Sequence, residues 1–365
     1  VRPLAVLGST LVYVQADGSV MGVALEGSGK KISGKPLPVL DPVNVVAGNN
    51  GNSGIYISSG GALIASRGGS KSQIGWMKQP LPEIVTNETR NFASPALSPD
   101  GRRIAITVRS GANSDIWIYD LDNRTFSRLS SVKAAVSPTW TPDGTHVVYA
   151  GLGDKERFAI WSQAADGGSP AVKLVDPIGL TGSITIAPDG KSLLYSAYSN
   201  NSWNTYRVAL DTPNVSVPYM ANPFNELAPR ISPDGKWAAI MTSESDRAEV
   251  YLRSYPVPSA RVQISAGGGA APIWSADGLK VYYRSGRSIL AARLSTMPSM
   301  RVVGRDTVIA DMSDYIRGDG VYSAFDVSRD GRFLGLVASR DDYQLVAVPN
   351  WIAEIGQRMG SNGKQ

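Results

Sequence analysis

Three observations predict an all-β chain built from a repeated four-stranded unit. A turn phrase recurs at steps in the forties, an aromatic-bearing strand follows each turn, and 38 Gly and 23 Pro accompany only 18% charged residues. Such a composition favours short strands and turns over solvated helices. A repeat of that length with strands inside it is the spacing of propeller blades, in which small sheets stack about an axis. The expected fold is a β-propeller of four-stranded antiparallel blades, eight rather than seven or six, with residues 1–365 as one domain.

The phrase is Ser98-Pro99-Asp100-Gly101, Thr141-Pro142-Asp143-Gly144, Ala187-Pro188-Asp189-Gly190, Ser232-Pro233-Asp234-Gly235, Ser275-Ala276-Asp277-Gly278 and Ser328-Arg329-Asp330-Gly331. From Asp to Asp the steps are 43, 46, 45, 43 and 53. Pro fixes φ at the second turn position, Asp bonds the backbone ahead of it and Gly accepts a positive φ, so each phrase is a hairpin turn. Its aspartates are expected to be structural rather than a carboxylate array for metal or acid–base chemistry.

An alternating strand follows each turn, such as Arg103-Ile104-Ala105-Ile106-Thr107-Val108. A third strand then carries an aromatic, as in Asp115-Ile116-Trp117-Ile118-Tyr119-Asp120 or Phe158-Ala159-Ile160-Trp161. A more polar fourth segment, such as Val172-Lys173-Leu174-Val175, ends each unit. The aromatics Trp117, Trp161, Trp203, Tyr251, Tyr282 and Tyr283 are expected to fill the contacts between blades, because an isolated sheet exposes both faces.

The N-terminal 90 residues lack the phrase but keep its rhythm. Residues 10–15, 19–25 and 38–40 read as strands of one unit, and residues 54–58, 73–77 and 82–85 as strands of the next. The expected blades are 1–41, 42–88, 90–131, 132–176, 178–220, 223–266, 268–312 and 318–349. The last shows three strands, so its fourth must come from elsewhere, and residues preceding Val1 are the expected source. The chain opens on Val1 rather than Met, which suggests a processed product with any membrane anchor upstream. Asn350 reads as the N-cap of a short helix over 350–359, with Trp351, Ile352, Ile355 and Met359 on one face.

The absence of Cys removes thiol chemistry and zinc ribbons, and a single His, His146, leaves neither a triad nor a His-based metal site. The net charge of +5 is scattered without a dense cluster, so no nucleic-acid partner is expected. No apolar run approaches the ~20 residues of a membrane span. The stretch from Gly29 to Pro36 resembles a phosphate-binding loop, but Pro36 stands where Ser or Thr must follow the Lys and a strand comes next. Asp120-Leu121-Asp122-Asn123 lacks the Gly and Glu of a cation loop. No catalytic, cofactor or metal residue is assigned.

The Pro-Asp-Gly phrases resemble the Tol-type, WD-like bacterial propeller repeat. Asn222-Pro223-Phe224-Asn225-Glu226, Ser232-Pro233-Asp234-Gly235-Lys236-Trp237, Glu249-Val250-Tyr251-Leu252-Arg253, Gly267-Gly268-Gly269, Pro272-Ile273-Trp274-Ser275 and Pro349-Asn350-Trp351 are similar to the C-terminal propeller of bacterial receptor-type serine/threonine protein kinases. That resemblance implies a domain outside the cytoplasmic membrane, peripheral to it or anchored, although neither kinase nor membrane segment is present here.

The expected function is a non-catalytic protein- or peptide-binding module, sensor-like or architectural, in a membrane-associated bacterial assembly. Its partner-binding residues are expected in loops between second and third strands, at Arg109, Asn113, Lys155, Arg157, Asn201, Arg247 and Arg287. Tyr315 and Arg317 in the 311–320 insertion, and Trp351 in the tail, complete the set. The alternative is a channel-centred propeller enzyme, a Ca²⁺-dependent hydrolase or lyase, or the regulatory propeller of a peptidase. It would need inward carboxylates where the first strands offer mostly Ala, Pro, Ile and Ser.

Overall fold

The computed structural model describes residues 2–15, 19–26, 31–40, 55–58, 61–67, 71–110, 113–153, 157–212, 214–220, 222–316, 323–339 and 344–361. They form eight antiparallel sheets, the expected number; seven have four strands and one has three. One short helix, Trp351–Ser361, is present. The chain divides into two compact units, Ser72–Ala338 and Val1–Lys71 with Ser339–Gln365.

Six sheets make up Ser72–Ala338. Sheet I holds Asn91–Leu97, Arg103–Ser110, Asn113–Asp120 and Thr125–Arg128; sheet II holds Lys133–Trp140, His146–Leu152, Phe158–Ala164 and Val172–Val175. Sheet III is Leu180–Ile186, Ser192–Ser199, Ser202–Ala209 and Ser216–Met220; sheet IV is Glu226–Ile231, Trp237–Thr242, Glu249–Ser254 and Arg261–Gln263. Sheet V contains Ala270–Trp274, Lys280–Ser285, Ser288–Ser295 and Arg301–Ile309. Sheet VI joins Phe325–Val327 and Phe333–Ala338 to Ser72–Trp76 and Glu83–Ile84. Each first strand packs on the first strand of the next sheet, and that of sheet VI packs on that of sheet I, so the unit closes on itself.

Turn chemistry fixes the register of each sheet. In sheet I the Ser98 hydroxyl donates to Asp100 Oδ1 and accepts Arg103 N at 2.9 Å, while Gly101 donates to the Ser98 carbonyl at 2.8 Å with φ of 73°. The equivalent turns at Gly144, Gly190, Gly235, Gly278 and Gly331 repeat the positive φ. Hydrogen bonds from Ser98 and Arg102 hold the Asp100 carboxyl below its usual range, and those from Thr141 and Thr145 bring Asp143 to about 2. Fully buried Ile104, Ile106, Tyr149, Leu193, Tyr195, Ala239 and Tyr283 fill the layers between sheets.

Ring closure differs from expectation. Residues 73–77 and 82–85 belong with Phe325–Val327 and Phe333–Ala338, pairing Leu334 with Trp76 and Val337 with Gln73. The last sheet of this unit is therefore completed from residues 72–84, not from residues before Val1, and residues 344–348 pair elsewhere. Alternation identifies a strand, but two alternating strands far apart in sequence carry no mark of which partner each will take.

In the other unit, Arg2–Leu7, Thr10–Val14, Val20–Glu26 and Lys31–Leu40 form a four-stranded sheet, with its second to fourth strands where residues 10–15, 19–25 and 38–40 were expected. Gln344–Val348, Leu63–Arg67 and Ile55–Ile57 form the three-stranded one, which replaces the expected 42–88 pairing; residues 41–54 lie outside the described set. Trp351 and Ile355 of the helix are buried with Val12, Val14, Val20, Val39, Leu63 and Ala65. Asn350 accepts Glu354 N at 3.2 Å through its carbonyl, opening the helix at the expected place. The side chain of Met359 is outside the described ones.

Candidate functional site

The first strands of Ser72–Ala338 line a cavity of about 270 Å³. In four of them a non-glycine residue preceding a proline takes a left-handed conformation: Ser94, Ser137, Ala228 and Ala271, with φ of 50–56°. Proline has no N–H for the ladder, so each strand bulges there, and the register shifts accordingly between Ala105 and Thr107, Val136 and Thr139, Leu227 and Arg230, and Ala270 and Ile273. Left-handed φ at a residue with a Cβ costs about 1–2 kcal/mol, and its repetition re-aims these strands where they line the cavity.

Two residues before each turn Ser, Thr or Ala lies one position common to all six sheets: Ala96, Thr139, Thr185, Arg230, Ile273 and Asp326. Each pairs with the second strand at a matching point, opposite Ala105, Val148, Leu194, Ala239, Tyr282 and Leu334. Four are small or apolar, or a threonine, and two are charged. All except Thr185 line the cavity, together with Ser94, Ser137, Ser183 and Ser323.

Asp326 Oδ2 accepts Leu97 N at 2.8 Å and Oδ1 accepts its neighbour Val327 N at 2.8 Å, tying sheet VI to sheet I. Burial pushes its carboxyl up, against the pull of those two N–H groups and of the Arg230 charge. Burial likewise lowers the Arg230 guanidinium, and the Asp326 charge opposes this. Arg230 donates to the Pro229 carbonyl at 3.1 Å, while its own carbonyl accepts Trp274 Nε1 at 2.9 Å. Trp140 Nε1 donates to Ala96 O in the same manner between sheets II and I. The Ser137 hydroxyl is buried without a partner.

Arg230 and Asp326 were missing from the sequence expectation, yet a signal for them exists. Aligning the six turns exposes a column in which only these two residues carry charge.

The expected rim residues are placed as follows. Arg109 pairs with Ser114, and Asn113 pairs with Ser110, at the hairpin of sheet I; Asn113 is exposed and Arg109 half-buried. Arg157 is exposed and its carbonyl accepts Gly153 N at 2.7 Å. Asn201, with φ of 66°, accepts the Tyr198 hydroxyl at 3.0 Å. Arg247 is bound at 2.7 Å to the buried Glu249 carboxylate, which also accepts Gly268 N at 2.9 Å and the Ser265 hydroxyl. Arg287 grips Asp311 at 3.1 and 3.2 Å. Two cations of the rim are thus neutralised locally. Lys155 and Arg317 lie outside the described residues.

Two expectations are corrected by burial. Tyr315 is packed with Met77, Met312, Phe325 and Phe333, and its hydroxyl accepts Lys78 N at 3.3 Å. Residues 311–316 of the insertion fold back onto sheet VI, with Ile316 N donating to Leu336 O at 2.8 Å, because Met312 and Tyr315 are too apolar to stay in water. Trp351 is 1% exposed and belongs to the core of its unit. His146 is exposed, with Nδ1 2.8 Å from the Thr145 hydroxyl. Among the described residues no group of three or more His, Asp or Glu could hold a metal, and no helix is long and apolar enough to cross a membrane.

Closed stacking of four-stranded sheets about a lined channel defines a β-propeller. The model of the TolB beta propeller domain family matches residues 77–217. The Tol-Pal system protein TolB of Anaeromyxobacter dehalogenans (strain 2CP-C) is 26% identical over 95 residues, 26% of this chain and 22% of the relative. That of Hydrogenovibrio crunogenus is 39% identical over 61 residues, 17% of this chain and 14% of the relative. The chain thus spans about a fifth of the length of the first of these relatives. A TolB-type structure from Agrobacterium tumefaciens superposes with a TM-score of 0.57 at 18% identity, covering 75% of this chain and 99% of that one, a likeness of fold.

Proposed function

We propose that this chain is a non-catalytic protein-interaction module, architectural or sensor-like, acting outside the cytoplasmic membrane in a bacterial assembly of the Tol-Pal kind. The observation that carries the reading is the charged pair Arg230 and Asp326 at a cavity-lining repeat position that is otherwise uncharged. Both residues are half-buried, and opposite charges held unpaired in a channel are expensive unless something uses them. The Tol-type match over residues 77–217 and the TolB relatives support the class of assembly. Exposed Asn113, Arg157 and Asn201 on the second-to-third-strand hairpins would extend the contact around a polar or acidic partner segment.

The channel offers hydroxyls, one guanidinium and one carboxylate, with both carboxylate oxygens engaged by backbone N–H groups; this suits binding better than proton transfer. The test places a photo-crosslinking residue at Thr139 in the channel or at Asn201 on the rim and irradiates intact cells. Adducts with proteins of the Tol-Pal system from the Thr139 site, diminished by Arg230→Gln, are expected. Absence of adducts at both sites, or adducts indifferent to Arg230→Gln, would overturn the reading.

A further inference from the structure

The two charges in the channel have opposite sign and occupy the same repeat position on sheets IV and VI, with Ile273 of sheet V between them. Among the described residues neither forms an ion pair within 4.0 Å, with the other or with any third side chain. Arg230 has five N–H donors, of which one is seen bonded, to Pro229 O. Each Asp326 oxygen accepts one backbone N–H and keeps a second lone pair. The Ser137 side chain is 6% exposed, lines the same cavity and has no hydrogen-bond partner for its hydroxyl.

An anion alone would satisfy Arg230 but face Asp326, and a cation alone would face Arg230. A ligand carrying both charges meets both. The cavity of about 270 Å³ lies below the ~300–1,000 Å³ of ordinary ligand pockets, so the ligand is small.

We infer that the channel holds a small zwitterion of the amino-acid class, a free α-amino acid or a short peptide, with its carboxylate on Arg230 and the Ser137 hydroxyl and its ammonium on Asp326. The inference rests on the channel being the recognition site proposed above. It adds a small-molecule ligand to that site, which would report on or compete with the partner segment.

Calorimetric titration of the full chain tests this with L-alanine and L-alanyl-L-alanine as zwitterionic probes. N-acetyl-L-alanine lacks the ammonium and L-alaninamide lacks the carboxylate. Saturable one-to-one binding of a zwitterion is expected, at least about tenfold tighter than that of either blocked probe. A preference for L-alanine or for the dipeptide separates a free amino acid from a peptide source. Arg230→Gln and Asp326→Asn should each weaken binding about tenfold or more, and Ser137→Ala about threefold. Ser137→Ala leaves the sheet-to-sheet bonds of Asp326 intact, so it stays informative even where Asp326→Asn unfolds. No saturable binding of either zwitterion at millimolar concentration, equal binding of the blocked probes, or binding unchanged in Arg230→Gln and Ser137→Ala would overturn the inference. Zwitterion binding without cross-linked partners would refute the partner reading alone, and the converse result would refute this inference alone.

Discussion

The turn end and the channel position of each sheet lie two residues apart in sequence and behave in opposite ways. The turns repeat in all six sheets of Ser72–Ala338 with the same left-handed glycine, and five of them have a hydroxyl as their first residue. The channel position holds Ala, two Thr, Ile, Arg and Asp. Uniformity marks what every sheet needs in order to fold. Deviation at a position where most sheets are uncharged marks what the ring needs once.

This contrast can be broken from both sides. The largest effect is expected from Asp326→Ala, which strands both Leu97 N and Val327 N; a loss of about 2–4 kcal/mol should appear in chemical denaturation.

A second effect comes from Glu226, buried with Oε2 unpartnered and with Asn222 Nδ2 donating to Oε1 at 2.7 Å. Burial, opposed by the Asn222 bond and the Arg253 charge, pushes its carboxyl from 4.5 up to about 7. A raised carboxyl pKa means the folded state binds the proton more tightly than the unfolded one. Stability should therefore fall as pH rises from the unfolded value to the folded one, by on the order of 2 kcal/mol. Denaturation at about pH 5 and about pH 8 should show this fall, and Glu226→Gln should abolish most of it.

Turn residues come next. Ser232→Ala removes the buried hydroxyl that accepts Trp237 N at 2.9 Å and donates to Asp234, for an expected loss of about 1–2 kcal/mol by thermal melting. The depressed carboxyls of Asp100, Asp143, Asp277 and Asp330 act in the opposite pH direction to Glu226. Their contribution is complete above the ordinary carboxylate range and is lost as pH falls through their folded values, about 2 for Asp143. Acid titration followed by circular dichroism should show unfolding setting in below about pH 4, and Asp143→Asn should soften it.

The smallest effect on stability is expected from Arg230→Met. A hydrophobic replacement for a half-buried charge is close to neutral, within about 1 kcal/mol, while channel binding is lost.

Much of this was legible in the chain. The turns, the hairpins that follow them and the helix at Asn350 are local, and their residue types act on near neighbours. The completion of sheet VI by Ser72–Trp76 and Glu83–Ile84 was not legible, since Leu334 and Trp76 lie at opposite ends of the sequence and nothing local joins them. Tyr315 and Trp351 looked like surface aromatics because they fall outside the repeat, yet burial of apolar area drew both inward. Arg247 and Arg287 looked free because Glu249 and Asp311 reach them only after folding. The channel pair was written in the aligned turns but hidden among scattered charges.

Hydrogen exchange of the full chain, read by mass spectrometry with and without saturating L-alanyl-L-alanine, tests the central claim most directly. Protection confined to the channel stretches around Ser137, Arg230 and Asp326, and absent from the hairpins at Asn113 and Asn201, is the predicted result. Protection at those hairpins with none in the first strands would contradict it.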